Sequence, residues 1–146
     1  MRYAKKWELN AEYNMTQEQK ELLLKDLCAR LPYGVKVQIK NEIVVLDSIC
    51  DDDGYYFNFI GEDREGVTIE QIKPYLFPLS SMIKEERKEY EGFVYKNIEL
   101  DYERYYDVID IDYSDCLIDF YHKYHFDYRG LIKKGLALDA SGLFIY

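Results

Sequence analysis

The chain has 146 residues, the usual size of one domain, and 48% of them are hydrophobic, which suffices to bury a core without disulfides or metal ions. Its formal net charge is −9, and residues 41–82 carry 2 basic and 9 acidic groups while residues 83–113 carry 5 and 10. This charge argues against general nucleic-acid binding, which requires clustered Lys and Arg, and it fits a basic partner or simply solubility.

The first predicted element is an amphipathic helix over residues 17–31. Thr16 and Gln19 form a capping box, T-x-x-Q, at its start, and Pro32 and Gly34 end it. Apolar residues at helical spacing predict its buried face, which consists of Leu23, Leu24, Leu27, Cys28 and Leu31.

The pattern then changes to the two-residue period of β-strands. It predicts strands over 35–40, 43–50, 55–60 and 67–69, with turns at Asn41-Glu42, DDDG (51–54) and GEDREG (61–66). The segment IEQIKPYLFPLSS predicts one helical turn followed by an extended crossing. Short strands so close together predict a small, curved antiparallel sheet that resembles an SH3-like barrel.

The remaining residues predict helices packed by aromatic side chains. A charged helix is predicted over 81–91, and YKNIEL (95–100) and YYDVIDIDY (105–113) have the pattern of strands. Ser114 is the predicted N-cap of a helix that starts at Asp115. The chain as a whole, residues 1–146, is predicted to be a single α+β domain.

The stretch LIDFYHKYHFDYRGLIKK (117–134) contains both histidines of the chain. In a continuous helix, an apolar and aromatic face would be buried opposite a basic stripe formed by His122, His125, Arg129 and Lys133. Asp127 can instead cap a separate second helix, and Gly130 weakens a continuous one, so a break near residue 126 would scatter the stripe.

The sequence contains no convincing catalytic constellation. HxxH supplies two ligands where zinc requires three or four, and HExxH is absent. The DDDG segment does not fit the EF-hand pattern, and no P-loop, GxGxxG or GxSxG occurs. We therefore favour a non-catalytic function over an enzyme and predict neither a cofactor nor a metal.

Cysteines and hydropathy predict a cytoplasmic protein. Cys28, Cys50 and Cys116 are far apart and form no CxxC pair, which favours reduced thiols in a reducing compartment. The start, MRYAKKWELN, lacks the apolar core of a signal peptide. No run approaches the roughly 18 apolar residues of a membrane span.

Four phrases occur together in this chain: LLLKDLCARLPYGVKVQI, IKPYLFPLSSM, HFDYRGLI and KGLALDA. With them the chain resembles, over residues 22–40, 72–82 and 125–140, a group of small uncharacterised proteins encoded by gut anaerobic bacteria and their phages and prophages. The resemblance transfers no activity and no site residues. It implies a small protein carried by mobile genomes, where accessory and anti-defence factors are common.

The leading hypothesis is a binding protein in such an accessory role. Its acidic strands and turns at 42–70 and 99–115 would engage a basic surface of a host protein. The chain contains 16 tyrosines, a residue type that suits both half-buried positions and interfaces. The oligomeric state stays open, a homo-oligomer included.

Two alternatives belong to other classes. In the first, an aromatic and basic pocket sequesters a nucleotide signalling molecule, because arginine beside aromatic rings clamps phosphates and bases. The pocket residues would be Tyr124, His125, Tyr128, Arg129 and Lys133. In the second, the chain is a metal-dependent hydrolase that uses His122, His125 and nearby aspartates.

Overall fold

The computed structural model describes residues 15–91 and 113–146, the first four of the second range by their backbone alone. The chain begins with helix α1 (Gln17–Arg30) and the strands β1 (Lys36–Ile39), β2 (Glu42–Asp51), β3 (Tyr55–Phe59) and β4 (Lys73–Leu76). Helix α2 (84–91), helix α3 (Tyr113–Lys123) and strand β5 (Leu138–Asp139) follow. Single 3-10 turns lie at Leu31–Tyr33, Ile69–Gln71 and Leu79–Ser81.

The predicted start of α1 is confirmed by its hydrogen bonds. The Gln19 N–H donates to Thr16 Oγ1 and the Thr16 N–H donates to Gln19 Oε1, both at 3.1 Å, which satisfies two backbone donors that a helix start leaves unpaired. The helix ends before the 3-10 turn that contains Pro32. Gly34 closes that turn in the left-handed conformation, with φ 69°, which glycine adopts without strain.

The buried face of α1 differs from the predicted one. Leu23 and Leu27 are fully buried as predicted, but Cys28 is exposed, and the two remaining buried positions are charged. These are Asp26 and Arg30, which lie on the same helix face as the two leucines because Asp26 follows Leu23 by three residues and Arg30 follows Leu27 by three. The prediction from hydrophobic periodicity was therefore rotated slightly around the helix, because it left out the two buried charged residues.

The strand order is β3-β2-β1-β4-β5, and all neighbours are antiparallel except β4 and β5, which are parallel. The α+β class is thus confirmed, but the SH3-like barrel is not, because the sheet built from the described residues is open. The predicted strand at 67–69 does not form. The chain instead passes through the Ile69–Gln71 turn and pairs β4 with β1, which leaves β3 at one edge of the sheet.

The first hairpin has a two-residue turn. Ile39 pairs with Glu42, and the residues between them, Lys40 and Asn41, have φ of 49° and 65°. Two positive φ angles indicate a type I′ turn, whose twist matches that of the flanking strands. The predicted turn at Asn41-Glu42 is therefore displaced by one residue.

Helix α1 and the segment 131–137 bury the sheet's apolar side chains. The core contains residues of α1, of each of the first four strands or the residue just before a strand, and of that C-terminal segment. Its buried residues are Leu23, Leu27, Val35, Val37, Ile39, Val44, Leu46, Phe57, Phe59, Ile72, Leu76, Leu131, Leu136 and Ala137.

Aromatic packing of α2 against α3 is as predicted, with 6.0 Å between the ring centroids of Tyr90 and Phe120. Ser114 lies inside α3 and is not its N-cap. Asp127 accepts hydrogen bonds from the N–H groups of Leu131 and Ile132 at 2.8 and 2.9 Å, yet the segment it caps is a run of turns, not a second helix.

The strand-like segments at 95–100 and 105–112 lie outside the described residues. No helix within 15–91 or 113–146 is long and apolar enough to cross a membrane.

Candidate functional site

Helix α3 ends in a reversal of the chain. The Phe126 N–H donates to Tyr121 C=O at 2.8 Å and the His125 N–H donates to His122 C=O at 3.2 Å, which is the bond pair of a Schellman C-cap. His125 has φ 60°, the left-handed conformation usually taken by glycine at this position. Phe126 stacks on Phe120 at 6.0 Å and completes the motif with an apolar contact. Of the two alternatives, the chain therefore breaks near residue 126 and does not continue as one helix, so the predicted basic stripe is divided.

Asp26 lies at the centre of a buried ion-pair cluster. Its Oδ2 accepts a hydrogen bond from Arg30 Nε at 2.8 Å, and its Oδ1 accepts one from Arg129 Nε at 3.1 Å. The side chains of Asp26 and Arg30 are fully buried, whereas that of Arg129 is 20% exposed. Arg30 Nη2 donates to Phe126 C=O at 2.6 Å, while its buried Nη1 has no hydrogen-bond partner in the part of the chain that the structure describes. The cluster joins α1 to the turn after α3.

Tyr128 packs against this cluster. The guanidinium carbons of Arg30 and Arg129 lie 5.5 and 4.9 Å from the centre of its ring, within the range of cation–π attraction. Tyr121 stacks on the same ring at 5.2 Å. The Tyr128 hydroxyl is 2.8 Å from His122 Nε2, so the imidazole is hydrogen-bonded inside the protein.

Neither histidine forms part of an exposed basic stripe. His122 is 5% exposed and His125 is 8% exposed. Burial, followed by the charge of Arg30, lowers the pKa of His122 below its usual value. Burial, followed by the charges of Arg30 and Lys36, lowers the pKa of His125 to about 4. Both side chains are consequently neutral at pH 7.

The structure separates the five predicted ligand-binding residues. Tyr128 and Arg129 meet in the cluster. His125 stacks on the Tyr146 ring at 3.6 Å, and its buried Nδ1 has no partner within 15–91 and 113–146. The Tyr146 hydroxyl donates to a backbone carbonyl of β4. Tyr124 donates from its hydroxyl to Glu89 of α2 at 2.6 Å, and Lys133 is exposed. The nucleotide pocket stays a prediction.

Asp26 and Arg30 are the residues that sequence analysis missed. One signal could have identified them: an acid and a base at i, i+4 share a helix face with Leu23 and Leu27. Asp26 also accepts from Arg129, 103 residues further along the chain, and no local pattern predicts that partner.

Within residues 15–91 and 113–146, no group of three or more His, Cys, Asp or Glu side chains is positioned to hold a metal ion. His122 and His125 face different partners and do not form a shared ligand pair. This part of the chain thus gives the metal-dependent hydrolase hypothesis no ligand set.

A groove of about 630 Å³ lies beside β3. One wall is residues 54–58 and the other is residues 63–68. The two walls meet where Phe59 bridges to Glu62, just after the turn at Ile60-Gly61. Tyr55, Tyr56 and Ile60 are 50%, 57% and 59% exposed, so large apolar side chains flank the groove on the surface.

Carboxylates lie on one wall of this groove and in the chain just before its other wall. We call five exposed ones the edge carboxylates: Asp51, Asp52, Asp53, Asp63 and Glu65. None of them takes part in an ion pair among the described residues. The nearby cation, Arg64, is already held by Glu62, at 2.6 Å, and by Glu42. Hydrogen bonds to these two glutamates raise the pKa of Arg64, so it remains charged but already paired.

Comparisons of the chain with protein-family models, with curated proteins and with solved structures found no match.

Proposed function

We propose that the chain is a non-catalytic binding protein that engages a basic surface of a host protein through the edge carboxylates. The observation that carries this proposal is the exposure of these five groups, unpaired among the described residues, two of them on one wall of a groove at an open sheet edge and three just before β3, its other wall. Unscreened carboxylates of one sign attract a basic partner and accelerate its association.

The exposed tyrosines at the same edge add support. Tyrosine is enriched in the contact regions of protein interfaces, and Tyr55 and Tyr56 are both at least half exposed. The biological context of the proposal is an accessory or anti-defence role of phage or prophage type, in the cytoplasm. Cys28 and Cys50 are exposed free thiols, which fits a reducing compartment.

The experiment isolates host proteins that bind the full chain at low ionic strength and then measures each affinity with purified components over a salt series. Two variants with equal loss of charge are compared. The edge variant carries Asp53→Asn, Asp63→Asn and Glu65→Gln, and the control variant carries Glu18→Gln, Glu85→Gln and Glu91→Gln. Asn suits position 53 because its φ is 51° and asparagine tolerates the left-handed region.

We expect binding to weaken steeply with salt and to fall about ten-fold further in the edge variant, because screening and charge removal act on the same attraction. The control variant should bind like the natural chain. A host partner that binds both variants equally and ignores salt would refute the proposal.

One observation favours a second candidate, the sequestration of a nucleotide signal. Among the described residues, the buried cluster holds two guanidinium groups for one carboxylate, and Arg30 Nη1 has no hydrogen-bond partner. An excess of buried positive charge suits an anion. Native mass spectrometry of the chain mixed with a bacterial small-molecule extract tests this: a nucleotide mass that Arg129→Ala abolishes supports it, and a clean apo mass excludes it.

A further inference from the structure

We propose that β3 binds its partner as an added β-strand, an extended Lys- and Arg-rich segment that lies in the groove and pairs with Tyr55 and Phe57. This inference rests on the proposed function, because it specifies how the acidic edge holds a basic partner. Strand addition to an exposed sheet edge takes its affinity from main-chain hydrogen bonds and its specificity from side-chain contacts.

The backbone of β3 is available on its groove side. The Ile60 N–H donates to Val45 C=O of β2 at 3.0 Å, so the backbone groups of Ile60 point towards β2. Backbone groups of successive residues in a strand alternate in direction, which turns those of Tyr55, Phe57 and Phe59 towards the groove. Phe59 bridges to Glu62, but no backbone group of the described residues pairs with Tyr55 or Phe57 on this side. Such an edge is a template for another strand.

The side chains of β3 leave room for a neighbour. Phe57 and Phe59 point into the core, at 4% and 5% exposure, and anchor the strand. Tyr56 and Asn58 point outward, and Asn58 is fixed across the sheet by its hydrogen bond to Ser48 Oγ at 3.0 Å. An added strand would therefore meet a rigid backbone flanked by exposed aromatic rings.

Charge decides which segment fits. Three edge carboxylates, Asp51, Asp52 and Asp53, lie where β3 begins, and the other two lie on the opposite wall of the groove. A segment in the groove therefore has carboxylates at its end and along its side. Pairing with a second copy of this chain would bring these carboxylates close to the carboxylates of the other copy. Like charges that oppose each other across paired strands destabilise a sheet. A basic segment from another protein is thus favoured over self-association.

Two synthetic peptides test the inference with the full chain. One is an extended peptide of alternating Lys and Thr. The other has the same sequence and charge but is N-methylated at every second residue, which removes the donors of one strand edge. Affinity is measured by calorimetry, and amide hydrogen exchange is followed at Tyr55 and Phe57.

We expect the unmodified peptide to bind, to slow exchange at both amides, and to bind about ten-fold more tightly than the methylated one, since a few net hydrogen bonds separate them. Equal binding of both peptides, lost in the edge variant, would overturn strand pairing and leave the proposed function standing. Binding by neither peptide would also overturn strand pairing, and the host-partner assay would then decide the proposed function separately.

A pair of variants of the protein gives an independent reading. Tyr55→Pro removes one groove-facing N–H at the first residue of an edge strand, where proline is tolerated. Tyr55→Thr removes the same ring and keeps the N–H. Weaker peptide binding by the proline variant than by the threonine variant supports strand pairing, and equal binding contradicts it. If the proline variant does not fold, the comparison of the unmodified and N-methylated peptides still tests strand pairing. A peptide-free dimer that Tyr55→Pro dissociates would identify a second copy as the occupant and overturn the proposal.

Discussion

Asp26 and Arg30 face each other inside the protein one helical turn apart, with 2.8 Å between Oδ2 and Nε and no exposure of either side chain. The second oxygen of Asp26 holds Arg129, so a single carboxylate ties helix α1 to the turn that follows α3. Because Arg30 also binds the Phe126 carbonyl, the C-terminal segment is connected to α1 by polar contacts as well as by the apolar core.

Removal of the Asp26 charge should destabilise the fold severely. Asp26→Asn leaves two guanidinium groups in a buried site without their carboxylate, and breaking one partner of a buried pair typically costs about 3–5 kcal/mol. The free energy of unfolding, measured in urea, should fall by that amount. Lys25→Gln, an exposed change on the same helix, should alter it by less than about 0.5 kcal/mol.

A double variant separates the charge effect from the loss of packing. Asp26→Leu with Arg30→Met leaves neither member of this pair charged, so it should be more stable than Asp26→Leu alone. If the double variant is the less stable of the two, the guanidinium of Arg30 contributes through its other contacts, and our explanation of the cluster is wrong.

The sequence predicts those parts of the fold that depend on neighbours in the chain. The capping box at Thr16 and the alternation around Val37 and Phe57 need only local chemistry, and the structure confirms them. Strand β4 was predicted only as an extended crossing, since Pro74 lacks the N–H that a ladder uses. Its pairing with β1 is a tertiary contact that no local pattern encodes.

The candidate site divides in the same way. The acidic residues around β3 can be predicted from the sequence, because residues 41–82 contain an excess of carboxylates. The groove is not, because it exists only where β4 pairs with β1 and leaves β3 without a second strand among the described residues. For the end of α3 the sequence leaves a continuous helix and a break near residue 126 both open, since His125 occupies a left-handed position that patterns assign to glycine.

Tyr128→Phe should reveal what the hydrogen bond to His122 contributes. The ring and its contacts remain, but His122 Nε2 loses its partner in a buried site, so the free energy of unfolding should fall by about 1–2 kcal/mol. Tyr33→Phe is the matched control, because the Tyr33 ring also lies beside His122, with 5.8 Å between the ring centroids, and its hydroxyl makes no hydrogen bond among the described residues. Equal effects of the two changes would show that the bond is unimportant.

The turn of the first hairpin can be improved. Lys40 and Asn41 both have positive φ, and the preferred pair for such a type I′ turn is Asn-Gly. Lys40→Asn with Asn41→Gly should raise the free energy of unfolding by about 0.5–1 kcal/mol by removing backbone strain. Thermal unfolding measures this, and Asn41→Val, which places a β-branched residue at positive φ, should lower the midpoint.

Burial of His125 makes stability depend on pH. Its pKa is about 4 in the folded protein against an ordinary 6.5, because burial and the charges of Arg30 and Lys36 disfavour the imidazolium. The unfolded chain therefore binds a proton below pH 6.5 that the folded chain does not bind until about pH 4. Stability from the neutral imidazole is complete above pH 6.5 and is lost progressively towards pH 4.

His125→Gln isolates this contribution, since glutamine fills a similar volume and does not titrate. Urea unfolding across the same pH range should show a fall in the natural chain that exceeds the fall in the variant by up to about 3 kcal/mol, the full value of such a pKa difference. Other groups that titrate in this range, His122 included, act in both proteins and cancel in the comparison. Parallel curves of stability against pH would mean that folding does not lower the pKa of His125. Burial would then not hold the ring stacked on Tyr146 in its neutral form.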